Sequence, residues 1–329
     1  VTQMTDEGPF GAIGRHWRAA VAWVAVGSWG IWAVFRLVGA DRLPGIGVPA
    51  VPLLALTPYV AAVSLVPVGC ALLLRRRRAA AVGGAVALAL AATVLPRAFG
   101  QAQPAAHGPE LRVLTANLYF GRASAGQLID LVRRTRPDVL SLQELTPDAV
   151  EEYDRAGLRR LLPHTALDAR WGAGGSALYA RYPLTSLPDP AGGDMAMPRA
   201  AFTLPGGVQV DVTAVHPPPP ISTPGVAEWR RGLAALPAAG SSGPVRVLAG
   251  DFNATLDHAR FRALLDRGYA DAADRAGAGL VPTWGLTGMI PLTIDHVLVD
   301  RRAAVRRVTV HDLSGSDHRA VFAHLVLPG

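Results

Sequence analysis

Three apolar runs near the start of the chain restrict its fold more than any other feature. Ala19–Phe35 is free of charge between Arg18 and Arg36, Val48–Leu74 carries no charged residue, and Ala79–Pro96 is a third such stretch. A helix that crosses a bilayer needs roughly 20 apolar residues, and three charge-free runs in succession are hard to bury in a soluble domain. Pro49, Pro52, Pro58 and Pro67 should kink or shorten the second helix. Trp17, Trp29 and Trp32 suit an interfacial belt. The expectation is a membrane anchor over residues 1–100, with three transmembrane helices at about 17–38, 48–74 and 79–98. A linker (101–110) and a globular domain (111–329) should follow.

Charge sharpens this division. The chain carries a net +7, but residues 1–110 hold nine Arg against four acids (Asp6, Glu7, Asp41 and Glu110). The remaining 219 residues are close to neutral, at +2, so the basicity belongs mainly to the anchor and argues against a polyanion-tracking domain. Arg75-Arg76-Arg77-Arg78 separates the second and third runs, and the positive-inside rule places that turn in the cytoplasm. Three spans then put the N-terminus inside and the globular domain outside, as a multi-pass protein of the cell membrane. A cleaved signal peptide fits less well, since it would need one apolar segment and not three. The single cysteine, Cys70, excludes a disulfide framework and a cysteine-based metal site.

From Leu111 the pattern changes to short β-rich runs: 111–116, 138–142, 176–180, 200–204, 208–215, 245–249, 294–299, 305–310 and 320–327. Ser124 should cap one helix, and Thr146-Pro147-Asp148 should open another. Gly206-Gly207 reads as a hairpin turn, so part of the sheet is antiparallel. Strands with helices between them indicate a layered α/β or α+β domain.

Unusual polar residues fall at the ends of these strands. Asn117, Glu144, His216, Asp251 with Asn253, Asp295 with His296, and Asp317 with His318 each border an apolar run. One such residue alone is ordinary turn chemistry. Together they form an acid-rich, cysteine-free set with histidines that suits a hard divalent cation. Pairing Asp295 with His318 would fix the imidazole tautomer and favour its charged form. That combination suits phosphoryl chemistry.

The ordered series Thr115-Ala116-Asn117, Leu142-Gln143-Glu144, His216, Gly250-Asp251-Phe252-Asn253, Ile294-Asp295-His296 and Gly315-Ser316-Asp317-His318 resembles the endonuclease/exonuclease/phosphatase, or DNase I-like, superfamily. The resemblance implies a four-layer α/β sandwich of two mixed β-sheets, here preceded by the bundle of three transmembrane helices. It implies that Glu144 is the principal Mg²⁺ ligand, with Asn117 and Asp317 assisting and Mn²⁺ as a possible substitute. Asp251 would orient or deprotonate the attacking water, with Asn253 binding phosphate or positioning Asp251. His216 and His318 would stabilise the transition state, and Asp295 would hold His318. The resemblance leaves open whether Asp251 or His318 is the base. The chain departs from the family pattern at Ala320, where Pro is common, and in the proline-rich run after His216. Arg199 is a candidate clamp for a second phosphate. Trp284 would wall the site or sit in the core, and His258, His296, His311 and His324 are read as structural.

The three-span layout further resembles a membrane-anchored actinobacterial, VanJ-like subgroup linked to vancomycin and teicoplanin resistance. This implies a phosphorylated membrane lipid as substrate, with undecaprenyl diphosphate leading, and the bilayer as partner. Nucleic acid is disfavoured, and no obligate protein partner is evident. The alternatives are an extracytoplasmic phosphodiesterase (a nuclease or a sphingomyelinase-like phospholipase) and a non-catalytic binder of lipid or antibiotic.

Overall fold

The computed structural model describes residues 9–285 and 288–329, so Asp6 and Glu7 lie outside it. The chain divides into two compact units, one of residues up to Ala40 together with Leu56–Pro96, the other of Asp41–Ala55 together with Arg97–Gly329.

The first unit is helical, with helices Pro9–Val38, Thr57–Ala62, Leu65–Leu73 and Arg77–Val94. Small residues let the helices approach, and Ala22, Val26, Ala71, Ala79 and Ala80 form its buried cluster. Its outer face is apolar: Val24, Leu73 and Leu88 are 69%, 86% and 72% exposed. Two helical stretches, His16–Val38 and Arg77–Ala98, are long and apolar enough to cross a membrane. The prolines of the second run have the expected effect, because Ala50–Ala62 and Leu65–Leu73 meet at a 55° bend. The described residues therefore supply two candidate spans, or three if the bent pair counts as one. Trp29 and Trp32 turn their indole N–H groups to the Val60 carbonyl and the Thr57 hydroxyl within this unit.

The second unit contains two six-stranded mixed sheets. The first is built from β1 (Glu110–Asn117), β2 (Val139–Gln143), β3 (His164–Asp168), β4 (Ser176–Ala180), β11 (Ala304–Asp312) and β12 (Arg319–Val326), in the order β11-β12-β1-β2-β4-β3. The second takes β5 (Thr185–Leu187), β6 (Arg199–Thr203), β7 (Gln209–Val215), β8 (Val245–Asp251), β9 (Tyr269–Asp271) and β10 (Asp295–Asp300), in the order β5-β6-β7-β8-β10-β9. β1 runs parallel to β2, and β7 runs parallel to β8. The remaining pairs are antiparallel, including the β6–β7 hairpin, where Gly206 and Gly207 take φ of 92° and 86°. Short strands with weak patterns (β3, β5 and β9) are the ones the sequence does not announce.

Both faces of the central strands are covered, which explains their near-continuous apolar runs. Leu111, Val113, Val212, Val247 and Val297 belong to the core between the sheets. Leu114 and Leu140 face helices Ala125–Thr135 and Pro147–Ala156 on one outer side. Leu248 faces helices Thr223–Ala235 and Ala259–Asp266 on the other. Ser124 and Thr146 cap their helices by accepting from the Gln127 and Ala149 N–H groups.

The second unit reaches beyond the 111–329 block marked by hydropathy. Arg97 forms a buried bidentate pair with Asp257 (2.6 and 2.8 Å), and Gln103 accepts from the Val305 N–H. Asp41 is fully buried and accepts from the N–H groups of Ala259 (3.0 Å) and Arg260 (2.7 Å). It thereby caps helix Ala259–Asp266, whose own N-cap residue His258 makes no side-chain cap bond. Val51 is buried among Trp229, Phe252 and Phe261, and its carbonyl pairs with His258 Nε2 at 2.9 Å. Residues 41–55 thus cluster with this unit, and the second apolar run is shared between the two units at Leu56.

Candidate active site

Side-chain alternation along the strands builds the site. On β1 the inward positions run Leu111, Val113, Thr115, Asn117; on β8 they run Val245, Val247, Ala249, Asp251. On β7 and just beyond they run Val210, Val212, Ala214, His216, and on β10 they run Val299, Val297, Asp295. A strand's period of two keeps all of these on the inter-sheet face. The apolar core thus gives way at one end of the sandwich to carboxylates, an amide and imidazoles. Beneath them a buried relay joins the sheets: Thr115 Oγ1 donates to Gln143 Oε1, Gln143 Nε2 to Ser141 Oγ, and Ser141 Oγ to the Ala249 carbonyl.

Two glycines permit the close approach of backbones here. A Cβ on Gly250 would lie 2.0 Å from the Val215 carbonyl oxygen, so only glycine lets β8 press against β7 before Asp251. A Cβ on Gly315 would lie 2.2 Å from the Arg122 carbonyl oxygen, and its φ of 87° favours glycine as well. Glu144 itself takes φ 55°, an uncommon left-handed conformation for such a side chain.

The predicted residues converge. Asn117 Nδ2 donates to Glu144 Oε1 and Asp251 Oδ2, both at 3.1 Å. Its oxygen accepts from the Tyr119 N–H, so the amide bridges the two carboxylates and is itself held by the backbone. The Phe120 N–H holds Glu144 Oε2 at 2.8 Å, and the Asn253 N–H holds Asp251 Oδ1 at 2.8 Å. Asp295 lies opposite Asp251 in the β8–β10 register. Its two oxygens sit 2.9 and 3.1 Å from His318 Nδ1, the pairing expected from sequence. His318 Nε2 then faces Asp251 Oδ2 at 3.7 Å, and His216 Nε2 faces the same oxygen at 3.7 Å.

The two histidines differ electrostatically. Burial, reinforced by the charge of His318, pulls His216 down to about 3, so it is neutral at pH 7. Burial also works against charge on His318, but Asp295 and Asp251 outweigh it and raise that imidazole to about 10. Burial pushes the Asp251 carboxyl up to about 7 against the opposing pull of His318, and it raises Glu144 as well.

The donor set fits a divalent cation. Glu144, Asp251 and Asp317 approach the same cavity, and none of the described residues lining it is Arg or Lys. Asp317 Oδ2 accepts from Trp284 Nε1 at 3.0 Å, whereas its buried Oδ1 has no hydrogen-bond donor among the described residues and lies 3.9 Å from His318 Nε2. A buried carboxylate oxygen in that state favours a positive partner. Atoms of Asp251, Asp295 and His318 also lie within 4.8 Å of one another. The His318–Asp295 bond uses one nitrogen of that trio, so it is read as an acid–base pair.

Arg199 does not join the site. Its guanidinium makes a bidentate pair with Asp211 on the neighbouring strand, at 2.8 and 2.6 Å, and no phosphate clamp remains. His296 is structural, held by Asp271 at 2.6 Å and the Ala254 carbonyl at 2.9 Å. Sequence reasoning missed Ser316, whose hydroxyl donates to the Asn117 carbonyl and accepts from the His318 N–H. Its position inside Gly315-Ser316-Asp317-His318 was the available signal.

Comparison with known proteins agrees with this fold. Residues 114–318 match the model of the Endonuclease/Exonuclease/phosphatase family. Among solved structures, one titled endonuclease/exonuclease/phosphatase from Beutenbergia cavernae is 20% identical, with a TM-score of 0.52, covering 67% of this chain and 72% of its own. The 3′ phosphatase NExo from Neisseria, bound to product DNA hairpin, is 22% identical (TM-score 0.51; 65% and 98% covered). An AP endonuclease from Archaeoglobus fulgidus is 15% identical (TM-score 0.52; 65% and 98% covered). At these identities the likeness speaks for the fold. None of the curated protein sequences compared matches the chain.

Proposed function

The chain belongs to the endonuclease/exonuclease/phosphatase family, and from that premise we propose a membrane-anchored, Mg²⁺-dependent phosphohydrolase that acts on a phosphorylated lipid at the extracytoplasmic face. Members of the family are metal-dependent phosphatases and nucleases that hydrolyse phosphoester bonds, and this chain is an enzyme of that kind. The leading substrate is undecaprenyl diphosphate, converted to undecaprenyl phosphate in recycling of the cell-wall lipid carrier, with a link to glycopeptide (teicoplanin-type) resistance.

One observation carries this reading: Asp41–Ala55 and Arg97–Gly329 form a single compact unit. On this reading both segments sit on one side of a bilayer, and residues 56–96 between them would leave that side and return. The bent stretch of residues 56–73 and helix Arg77–Val94 would supply the two passes, with the Arg75–Arg78 turn on the far side. The positive-inside rule then favours an external catalytic unit.

The chemistry follows from the site. A bound divalent cation, held by Glu144 and Asp317, would neutralise phosphate oxygens and make the phosphorus more electrophilic. His318 is held protonated by Asp295 and so donates a charged hydrogen bond to the phosphoryl oxygens as negative charge builds. His216, being neutral, supplies an uncharged one. A protonated His318 has no lone pair to offer, which leaves Asp251 to accept the proton of the attacking water. The water oxygen bonds to the terminal phosphorus, the bond to the bridging oxygen breaks, and the lipid monophosphate departs with that electron pair.

A substrate panel tests the reading. Purified full-length protein with Mg²⁺ should release inorganic phosphate from undecaprenyl diphosphate faster than it cleaves DNA or a phosphodiester lipid. DNA cleavage at comparable efficiency would favour the nuclease. Lipid retention without turnover, unchanged by Glu144→Ala, would favour the binder. A reporter fused after Gly329 that reads as cytoplasmic would remove the outer-leaflet argument.

A further inference from the structure

The catalytic residues open onto a cavity of about 450 Å³, within the range of small-molecule sites. Its lining combines Glu144, Asp251 and His318 with an apolar wall contributed by Pro52, Ala55, Met195, Ile221, Trp284 and Leu292. The chain has 32 basic side chains, all Arg, yet none of the described residues lining this cavity is one of them. A groove that tracked a polyphosphate backbone would place Arg or Lys at successive phosphates. This wall instead offers apolar surface directly beside the phosphoryl-transfer groups.

Two wall residues, Pro52 and Ala55, lie outside the family-matched region, residues 114–318. They come from the segment Asp41–Ala55, which is fixed to the catalytic unit at several points. Asp41 caps helix Ala259–Asp266, Arg230 donates to the Asp41 carbonyl at 2.9 Å and the Ile46 carbonyl at 2.5 Å, and Val51 is wholly buried. The segment is thus a built wall and not a loose connection. Its last residue, Ala55, is bonded to Leu56, where the apolar run continues into the helical unit. Ile221 also lines the cavity and, at 70% exposure, offers its side chain to an incoming apolar group.

We infer that Asp41–Ala55, together with Ile221 and Trp284, forms a tail-binding subsite that selects phosphates carrying an apolar chain. The phosphoryl group points to Glu144 and His318, and the first carbons of the chain lie along Pro52 and Ala55. The subsite rests on the phosphohydrolase reading for its turnover assay, but not for its binding assay.

Full-length protein in nanodiscs with Mg²⁺ provides the test, using farnesyl diphosphate and p-nitrophenyl phosphate as paired substrates. Ala55→Trp, which fills the wall, and Ile221→Asp, at an exposed position that spares the fold, should each lower the ratio of kcat/KM for the prenyl over the soluble substrate. The expected loss is about tenfold and is carried by KM for the prenyl substrate. A ratio unchanged in both variants overturns the subsite, as does an equal loss on both substrates. If the wild type turns over DNA but no lipid phosphate, the phosphohydrolase reading fails while the subsite is still testable. Octyl phosphate should then inhibit about tenfold more strongly than inorganic phosphate, with the gap narrowed in Ile221→Asp. Equal inhibition by the two would overturn the subsite.

Discussion

The two ends of the β-sandwich carry opposite charge in opposite settings. At one end, Asn117, His216, Asp251, Asp295 and His318 are each at most 6% exposed. At the other, where β1 begins and β12 finishes, Arg112, Arg133, Arg134, Arg136, Arg307 and His324 border an open cleft of about 380 Å³. Burial is what separates them. The enclosed acids and imidazoles cannot be screened by water, so their proton affinities move by large amounts and in different directions. The guanidinium groups of the other end are mostly exposed, where charge is screened and pairs contribute little. A dense cluster of charge is therefore no guide to chemistry without burial and convergence, and the acidic end alone has both.

The sharpest way to break this contrast is to remove a charge from the enclosed end. Glu144→Ala should lower kcat on the order of a thousandfold with the fold retained, measured as phosphate release beside a circular dichroism melt. Asp295→Asn should cost about a hundredfold, because His318 loses the partner that keeps it charged. The same variant has a signature in pH. His318 is raised in the folded state, so its pairing stabilises the protein below the ordinary value near 6.5, and that stabilisation is lost as pH rises through about 10. NMR titration of Asp295→Asn should move the His318 midpoint down toward 6.5; an unmoved midpoint would contradict the assignment.

A third test uses the metal. Burial raises the Glu144 carboxyl, so a cation held there must displace its proton at low pH. Calorimetric Mg²⁺ affinity should weaken as pH falls through the raised Glu144 midpoint, by about tenfold per pH unit below it if one proton is displaced. A pH-independent affinity would argue that other groups bind the ion.

The smaller effects lie away from the carboxylates. Gln143→Ala breaks the Thr115–Gln143–Ser141 relay under the site and leaves buried partners unsatisfied. It should cost about 1–3 kcal/mol in denaturant titration, with only a few-fold loss of kcat. Arg307→Ala, at the open basic end, should change activity by less than about twofold. A large loss there would show that the basic cleft takes part in catalysis.

The catalytic end was legible in the sequence because its logic is local. Each functional residue ends or follows a strand whose apolar pattern is plain, so alternation alone carries Asn117, His216 and Asp251 to one face. The six motifs also keep the order of a known family. What the sequence concealed depends on distant partners. Nothing near Asp41 shows that it caps a helix beginning at Ala259, and nothing near Arg199 shows that Asp211 occupies it. The second apolar run looked continuous by hydropathy, but its prolines bend it, and its first residues pack with the enzyme through Val51. His216 and His318 look equivalent on paper; the Asp295 contact at His318, with Asp251 beside it, makes one cationic while burial leaves the other neutral.

In the function proposed, the buried acidic end of the sandwich is a metal-dependent centre for lipid phosphate hydrolysis. Phosphate release from undecaprenyl diphosphate in nanodiscs, titrated with Mg²⁺ for wild type and Glu144→Ala in parallel, tests it most directly. Release should rise with Mg²⁺ to saturation in the wild type and stay near background in the variant. Release that ignores Mg²⁺, or that survives Glu144→Ala, would contradict it.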